Sequence, residues 1–480
     1  MNPIVAAIVA IPGMLAIVCL LLPYTVGRAL TAVGAVVTAM LIAIVAVMVS
    51  QHRGTIDAQS TLFLLPLGIV YACVGIYTVW YVEAEAHGSD RERFRREFLA
   101  LTNAFAFVEV IVPLVTNMAG LWVAMEATTI VAALLVRLQG TPAALEAAWK
   151  YILIASCGLG LALVAVIVLY AGGTEALGTR YSPDWAAYVS AARRLNPDAV
   201  RLAFLFALVG FGTKMGLAPM HTWLPDAHGA GPTPTSAMLS GVVLSDALYA
   251  ILRFAAITNA ALGPSYARHL FAVLGLLSLF LAAFFLLQQR DLKRMFAYSS
   301  IEHMGIVATA LSFSAPIAVA GAMLHVVNHA ATKSLAFLAA GRIAERYETR
   351  EIAGIRGALV TLPVSSAFLA IAGLALAGMP PFGMFRSELM ILVGGFSSAP
   401  LRAGALLVLL VIAFAGIVRW IAAVTGGAPP ESIVRGERAI FPIIGMALGV
   451  VIVVGLGVYV PNVLKVLIFG VQHILAGNVS

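Results

Sequence analysis

Charge is scarce in this 480-residue chain: Asp, Glu, Lys and Arg make up only 11% of it, against 61% hydrophobic residues and a mean hydropathy of +1.00. Soluble domains carry about 25% charged residues, so the composition excludes that class. Cysteine is scarcer still. Cys19, Cys73 and Cys157 lie singly in apolar runs, with no C-x-x-C pair to hold an iron–sulfur cluster or a zinc ion. No P-loop and no strand-associated G-x-G-x-x-G occurs, which leaves any nucleotide chemistry to another subunit. The basic start of a secretory signal is lacking too, and MNPIVAAIVAIPGMLAIVCLLLP reads as a retained first span. The formal net charge is +7, but the arginines cluster in short loops between apolar runs. That pattern sets membrane orientation, so the lipid bilayer is an expected partner and nucleic acid is not. No catalytic group, cofactor or metal is expected on the chain itself.

What is abundant is the long unbroken apolar run. Barrel strands alternate over about ten residues, so these runs specify helices. Crossing the hydrocarbon core takes about 20 apolar residues. The predicted fold is an all-α integral membrane protein of about fourteen transmembrane helices. They start near positions 3, 26, 62, 98, 118, 147, 200, 234, 268, 295, 315, 359, 400 and 438. Loops after odd-numbered spans hold Arg91, Arg93, Arg95 and Arg96, then Arg290, Lys293 and Arg294. The same set continues with Arg342, Arg346, Arg350 and Arg356, then Arg435 and Arg438. The other side has chiefly Arg180, Arg193 and Arg194 in one long loop. This bias puts the odd-numbered loops in the cytoplasm and both termini on the non-cytoplasmic side.

Two spans are interrupted. The seventh reads GFGTKMGLAPMHTWLPDAHGAGPTP, broken at Gly216, Pro219 and Pro225. The twelfth reads FLAIAGLALAGMPPFGMFRSELMIL, broken at Gly378, Pro380, Pro381 and Gly383. A proline removes a backbone bond that lipid cannot replace, so such breaks survive only inside protein or beside water. The two lie five spans apart, which predicts two inverted five-helix repeats with one discontinuous helix each. The repeats span 98–258 and 259–425, after a three-helix segment (1–97) and before a C-terminal helix and tail (426–480). Matched interrupted helices point to an ion path; incidental Gly and Pro in a large bundle are the alternative.

Each charge at mid-bilayer costs roughly 2.5–3.5 kcal/mol even on a lenient scale, so it faces a partner or a water-filled cavity. Glu126 lies in the middle of LWVAMEATTI, Lys214 just before the first break and Glu388 just after the second. In HVVNHAATKSLAFLAAG, His325, His329 and Lys333 follow at i, i+4 steps of about 400°, which sets them along one helix face. Burial and pairing act oppositely on lysine and carboxyl groups, and histidine titrates near neutrality, so these types suit a proton relay. A static Glu126–Lys214 salt bridge is the bland alternative for that pair. For His325 and His329 the rival is a metal site, but no third ligand is apparent in the sequence. Glu109, within FAFVEVIVPLV, is an additional acid for which pairing and relay are equally open.

At these residues the sequence becomes recognisable. GTKMGLAPMHTWLPDAHGAGPTPTSAMLSGVVL resembles the signature of the antiporter-like membrane subunits. That family embraces Mrp-type cation/proton antiporters, the large proton-channel subunits of respiratory complex I and subunits of group 4 [NiFe] hydrogenases. The likeness extends through DLKRMFAYSSIEHMGI, HVVNHAATKSLAFLAAG and GMPPFGMFRSELMIL, over roughly 98–425. Glu302 and His303 in KRMFAYSSIEHMGI look most like the hydrogenase 4 F-type subunit. The resemblance implies a proton-translocating subunit of a hydrogenase 4 or formate hydrogenlyase type complex in the bacterial inner membrane. Its implied partners are other membrane subunits and a soluble redox arm of iron–sulfur and [NiFe]-hydrogenase-like subunits. It also implies that Glu126 and Lys214 form the first half-channel, that Lys333 with His325 and His329 is the central relay, and that Glu388 is terminal. Asp226, His221 and His228 would shape an entrance at the first break.

One departure stands out. In LSGVVLSDALYAILRF the antiporter and complex I members usually place Lys or His where this chain has Ser245, followed by Asp246. The bridging base is then missing, or replaced by Asp246 or by water held on Ser245. Two rival functions stand beside it: a Mrp-type cation/proton antiporter subunit, suggested by the charged spans but weighed against by Ser245, and a non-pumping membrane anchor of the redox arm, suggested by the missing base.

Overall fold

The computed structural model describes residues 2–85, 91–178, 183–437 and 439–477, so Arg180 and Arg438 lie outside the described residues. Its helices are α1 (Pro3–Leu21), α2 (Tyr24–Ser50), α3 (Ala58–Ala84), α4 (Arg91–Leu114), α5 (Met118–Arg137) and α6 (Pro142–Leu177). Short α7 (Trp185–Ala191) precedes α8 (Pro197–Met215), α9 (Trp223–Ala230), α10 (Thr233–Met238) and α11 (Leu244–Leu262). Next come α12 (Ser265–Gln288), α13 (Leu292–Leu311), α14 (Pro316–Tyr347), α15 (Ala358–Thr361), α16 (Pro363–Leu376) and α17 (Gly383–Ser398). The chain ends with α18 (Pro400–Thr425), α19 (Ile440–Val458) and α20 (Asn462–Leu475). Starts are marked by side-chain caps: Asp57, Asn117, Thr141, Asn196 and Asp291 each accept a first-turn backbone N–H.

Among the described residues, eleven helical segments are long and apolar enough to cross a membrane. The rest of the expected set is α13, α14 and the α16–α17 pair. Polar residues lower the hydropathy of α13 and α14, and the break leaves α16 and α17 short. The molecule is thus a multi-pass integral membrane protein. Two further helices were not foreseen. α7 lies within the long loop, and α20 occupies what read as a tail. Leu464, Leu467, Ile468 and Val471 bury one stripe of α20 against the bundle, and its end is held by Asn259 Nδ2 donating to Leu475 O at 2.9 Å.

Loops of like parity meet. Asp291 and Glu351, in loops after two odd-numbered spans, form a backbone bridge, and Asn117 and Asp184 do the same on the opposite face. The middle of the bundle is α10–α11, whose apolar window is wholly buried, with α14 beside it. A run buried all round must face protein on every side.

The two breaks fall at residues 216–219 and 378–382, whereas Pro225, read as a further interruption of the seventh span, lies within the first turn of α9. α8 ends at Gly216 in the left-handed region (φ 81°), and α16 gives way at Gly378 (φ 68°). The freed backbone groups find protein partners, as a lipid environment requires. Trp223 Nε1 donates to Thr213 O at 2.8 Å, and Ala218 N donates to Ser278 Oγ at 2.8 Å. At the second break Asn328 Nδ2 donates to Gly383 O at 2.7 Å.

α6 and α8 touch backbone to backbone. A Cβ added at Gly210 would lie 2.5 Å from Ala162 N and 2.7 Å from Gly158 O, and neither atom can swing away. Gly210→Ala is therefore expected to destabilise the solubilised chain by about 1–3 kcal/mol, the usual cost of overpacking. Gly160→Ala, one helix step from Leu159 and with nothing within 4 Å of the new methyl, is the control. Thermal unfolding of both variants decides it: equal midpoints would show that the seam can yield.

Candidate functional site

Lys214 sits in the last turn of α8, wholly buried. Its Nζ donates to Met125 O at 2.5 Å and Thr129 Oγ1 at 2.7 Å, and also to Thr128 Oγ1. All three acceptors are neutral oxygens of α5. Among the described residues no ion pair joins Lys214 to a carboxylate. The direct Glu126–Lys214 pair expected from the sequence is therefore not formed. The reason is helical geometry. Met125, Thr128 and Thr129 share one face, while Glu126 lies about 100° round it and reaches α6, accepting from Ser156 Oγ at 2.7 Å.

The acids nearest in kind to a partner for Lys214 are two others. Glu109 of α4 and Asp246 of α11 are buried, each in the field of the other and of Lys214. None of their four carboxyl oxygens has a hydrogen-bond partner among the described residues. Asp246 thus lies in the neighbourhood of Glu109 and Lys214. Ser245 does not present itself either, because its hydroxyl donates back to Gly241 O at 3.2 Å.

Between α10–α11 and α13 stands a residue the sequence did not flag. A π-helical turn, Leu239–Val243, separates α10 from α11. From within it Ser240 Oγ pairs with Ser300 Oγ of α13 at 2.8 Å, both wholly buried. π turns of this kind recur at functional sites. Short polar side chains such as these read in sequence as filler in an apolar run.

Beyond Ser300 the second cluster lies between α13, α14 and α17. Lys333 Nζ donates to Phe296 O at 2.8 Å and lies in the field of Glu302. His303 Nδ1 and His325 Nε2 are 3.1 Å apart, and His325 Nδ1 is 3.0 Å from Ser387 Oγ. The His329 ring stands 5.5 Å from that of His303, centroid to centroid, with neither nitrogen hydrogen-bonded. Glu388, 9% exposed, converges on His303 and His325: one ligand-type atom from each lies within 4.8 Å of the others. The absent third ligand for His325 is thus present, although it serves His325 with His303 and not with His329. No linear spacing could reveal this, since the three residues come from three helices.

The first break holds the remaining residues. His228 is buried between Trp223 and Phe337, ring centroids 6.3 and 5.2 Å away, and neither of its nitrogens is bonded. His221 stands 6.5 Å from the Tyr298 ring. Asp226 lies nearer the surface, accepting from Arg294 Nη1 at 2.8 Å and Lys150 Nζ at 3.1 Å. The buried groups, traced from α4 to α17, form two clusters, Lys214 with carboxyls and Lys333 with carboxyls and imidazoles, and the Ser240–Ser300 hydroxyl pair joins α10–α11 to α13.

The chain is similar to known proteins in sequence and in fold. The family described as "NADH:quinone oxidoreductase/Mrp antiporter, TM" matches residues 115–415. The Hydrogenase-4 component F homolog of Methylacidiphilum infernorum (isolate V4) is 35% identical over 412 residues, 85% of each chain. A chain in the structure of the membrane-bound sulfane sulfur reductase, an archaeal respiratory membrane complex, superposes with a TM-score of 0.85 at 24% identity. That match covers 98% of this chain and 99% of the other. A chain of respiratory complex I from Thermus thermophilus gives 0.83 at 21% identity, over 99% and 100% of the two. These neighbours are chains of multisubunit membrane complexes, and at such identities they show the shared fold. By its family match over most of its length and by its discontinuous, charge-bearing helices, the chain belongs to the NADH:quinone oxidoreductase/Mrp antiporter family of transmembrane subunits.

Proposed function

We propose that this chain is the proton-translocating subunit of a membrane-bound hydrogenase-like complex of the hydrogenase 4 or formate hydrogenlyase type. The observation that carries the reading is the setting of Lys214 and Lys333. Each is wholly buried and held by neutral oxygens, with no carboxylate in an ion pair among the described residues. A lysine clamped by a carboxylate stays charged; one held by carbonyl and hydroxyl oxygens can exchange its proton. A static salt bridge locking two helices does not fit that arrangement.

The proposed path runs from the Glu109–Asp246 pair and Lys214, with Glu126 beside them, through Ser240 and Ser300. It continues along Glu302, Lys333, His329, His303 and His325 to Glu388, with His228 alongside. His221 and Asp226 shape the approach at the first break. Residues 98–258 and 259–425 act as the two inverted repeats, framed by 1–97 and 426–480. Partner membrane subunits and a soluble iron–sulfur and [NiFe]-hydrogenase-like arm supply the redox energy. The chain lies in a bacterial inner membrane with both termini on the non-cytoplasmic side. The name of the 35%-identical relative supports the hydrogenase-type assignment.

The test is redox-driven lumen acidification by the assembled complex in proteoliposomes. Lys333→Met is expected to reduce it at least tenfold (roughly the low end for a positioned proton-transfer group is a hundredfold) without lowering subunit yield. Acidification that persists unchanged in the variant would overturn the path. An absolute requirement for Na⁺ or K⁺ would favour the antiporter reading instead.

A further inference from the structure

We propose that His303, His325 and Glu388 form a binding site for one divalent transition-metal ion of the zinc class, occupied in place of the proton held between the two imidazoles. The donor set is two imidazole nitrogens and one carboxylate oxygen, brought from α13, α14 and α17 to within 4.8 Å of one another. Two histidines and one carboxylate, with a fourth position open to water, is a set that zinc accepts.

The geometry is close to that of a ligated pair. His303 Nδ1 and His325 Nε2 stand 3.1 Å apart. With zinc–nitrogen bonds of about 2.0–2.1 Å at a tetrahedral angle, two ligating nitrogens lie roughly 3.3 Å apart. The nitrogen separation is thus already near that of ligands, and binding needs the two rings to turn their lone pairs toward the ion and the Glu388 oxygen, within 4.8 Å, to close on it.

The hydrogen-bond network assigns the tautomers. Ser387 Oγ donates to Met384 O at 2.8 Å, so it accepts from His325 Nδ1–H at 3.0 Å. That outer contact orients the ring and leaves the Nε2 lone pair facing His303, as an outer-shell partner does for a metal-bound histidine. Without an ion, His303 Nδ1–H donates to that lone pair. His303 Nε2 has no partner. When the ion binds, the His303 proton moves from Nδ1 to Nε2 and the Nδ1 lone pair turns to the metal, so both imidazoles ligate as neutral rings. Charge is matched as well: the carboxylate of Glu388 ligates, and Glu302 acts on the same group from α13. Lys333 is the opposing cation. His329 takes no part, because its nitrogens do not converge with the other three donors.

The site does not depend on the transport role, because binding is read without any proton movement. The experiment uses the full-length chain in detergent micelles, with Zn²⁺ measured by equilibrium dialysis and Co²⁺ by its visible absorption. Saturable binding of one ion per chain is expected, with a tetrahedral nitrogen–oxygen Co²⁺ spectrum. His303→Gln and Glu388→Gln are each expected to weaken binding at least about 100-fold, since outer-shell changes alone cost 10–100-fold. Ser387→Ala removes no ligand and is expected to weaken it about tenfold. His473→Gln, on exposed α20, should leave it unchanged. Should a ligand variant fail to stay monodisperse, Ser387→Ala decides alone. No saturable binding by the unaltered chain, or binding that the triad and Ser387 variants leave intact, overturns the proposal.

Discussion

Lys214→Met is expected to abolish redox-driven proton movement, lowering it by roughly a hundredfold, while the complex assembles at normal yield. Methionine nearly matches the lysine stem in volume and makes few demands on the cavity. It leaves few orphans behind. Thr128 Oγ1 and Thr129 Oγ1 already donate to Met125 O, at 2.8 and 3.3 Å, so both hydroxyl hydrogens keep their acceptor. The loss is then one buried amine, whose removal costs little stability because no carboxylate is left unpaired. Acidification in proteoliposomes, beside subunit yield on a native gel, checks both halves of the claim. Normal pumping would remove Lys214 from the path. A complex that falls apart would instead make the lysine a structural brace.

The second large effect concerns Glu109 and Asp246. If the two carboxyls hold one proton between them, they act as a unit, and groups that act as a unit give non-additive losses. Glu109→Gln and Asp246→Asn are each expected to reduce proton movement by roughly ten- to a hundredfold. The double variant should lose no more than the worse single one, within about twofold. Two independent steps would instead multiply, giving a loss near the product of the singles. The comparison needs only relative rates from one preparation method. Multiplicative loss would separate the pair into two stations.

These predictions rest on contacts that the sequence shows unevenly. Gly216, Pro219, Gly378 and Pro380 made both breaks legible, because backbone groups freed inside a membrane admit few explanations. Lys214, Lys333 and Glu388 were legible for a similar reason: a charge in an apolar run is costly enough to need a purpose. What surrounds each charge was not. Thr128 and Thr129 look like ordinary helix residues until α8 is placed against α5. Glu126, the obvious partner by proximity of motif, is one helical step off the face that Lys214 meets. His303 sits in a recognisable motif, but its convergence with His325 and Glu388 depends on the packing of three helices. Ser245 drew attention as the site of a substitution, yet the proposed joint is five residues earlier at Ser240, within a π turn that leaves no mark in hydropathy. α20 escaped notice because its 14 residues are too few for a span, although its apolar stripe is regular.

On the proposed path the Ser240–Ser300 contact has a kinetic consequence. Lysine or histidine at such a joint can store a proton and wait; two hydroxyls cannot. Each alcohol gives up its hydrogen on one side as it accepts on the other, so a transfer leaves both O–H dipoles reversed. They must rotate back before the next proton can pass in the same direction. A joint built this way behaves as a turnstile with a reset, one passage per turn and no queue. Throughput would then be set by hydroxyl rotation inside a close-packed bundle, and pumping would slow in heavy water even when the redox step does not.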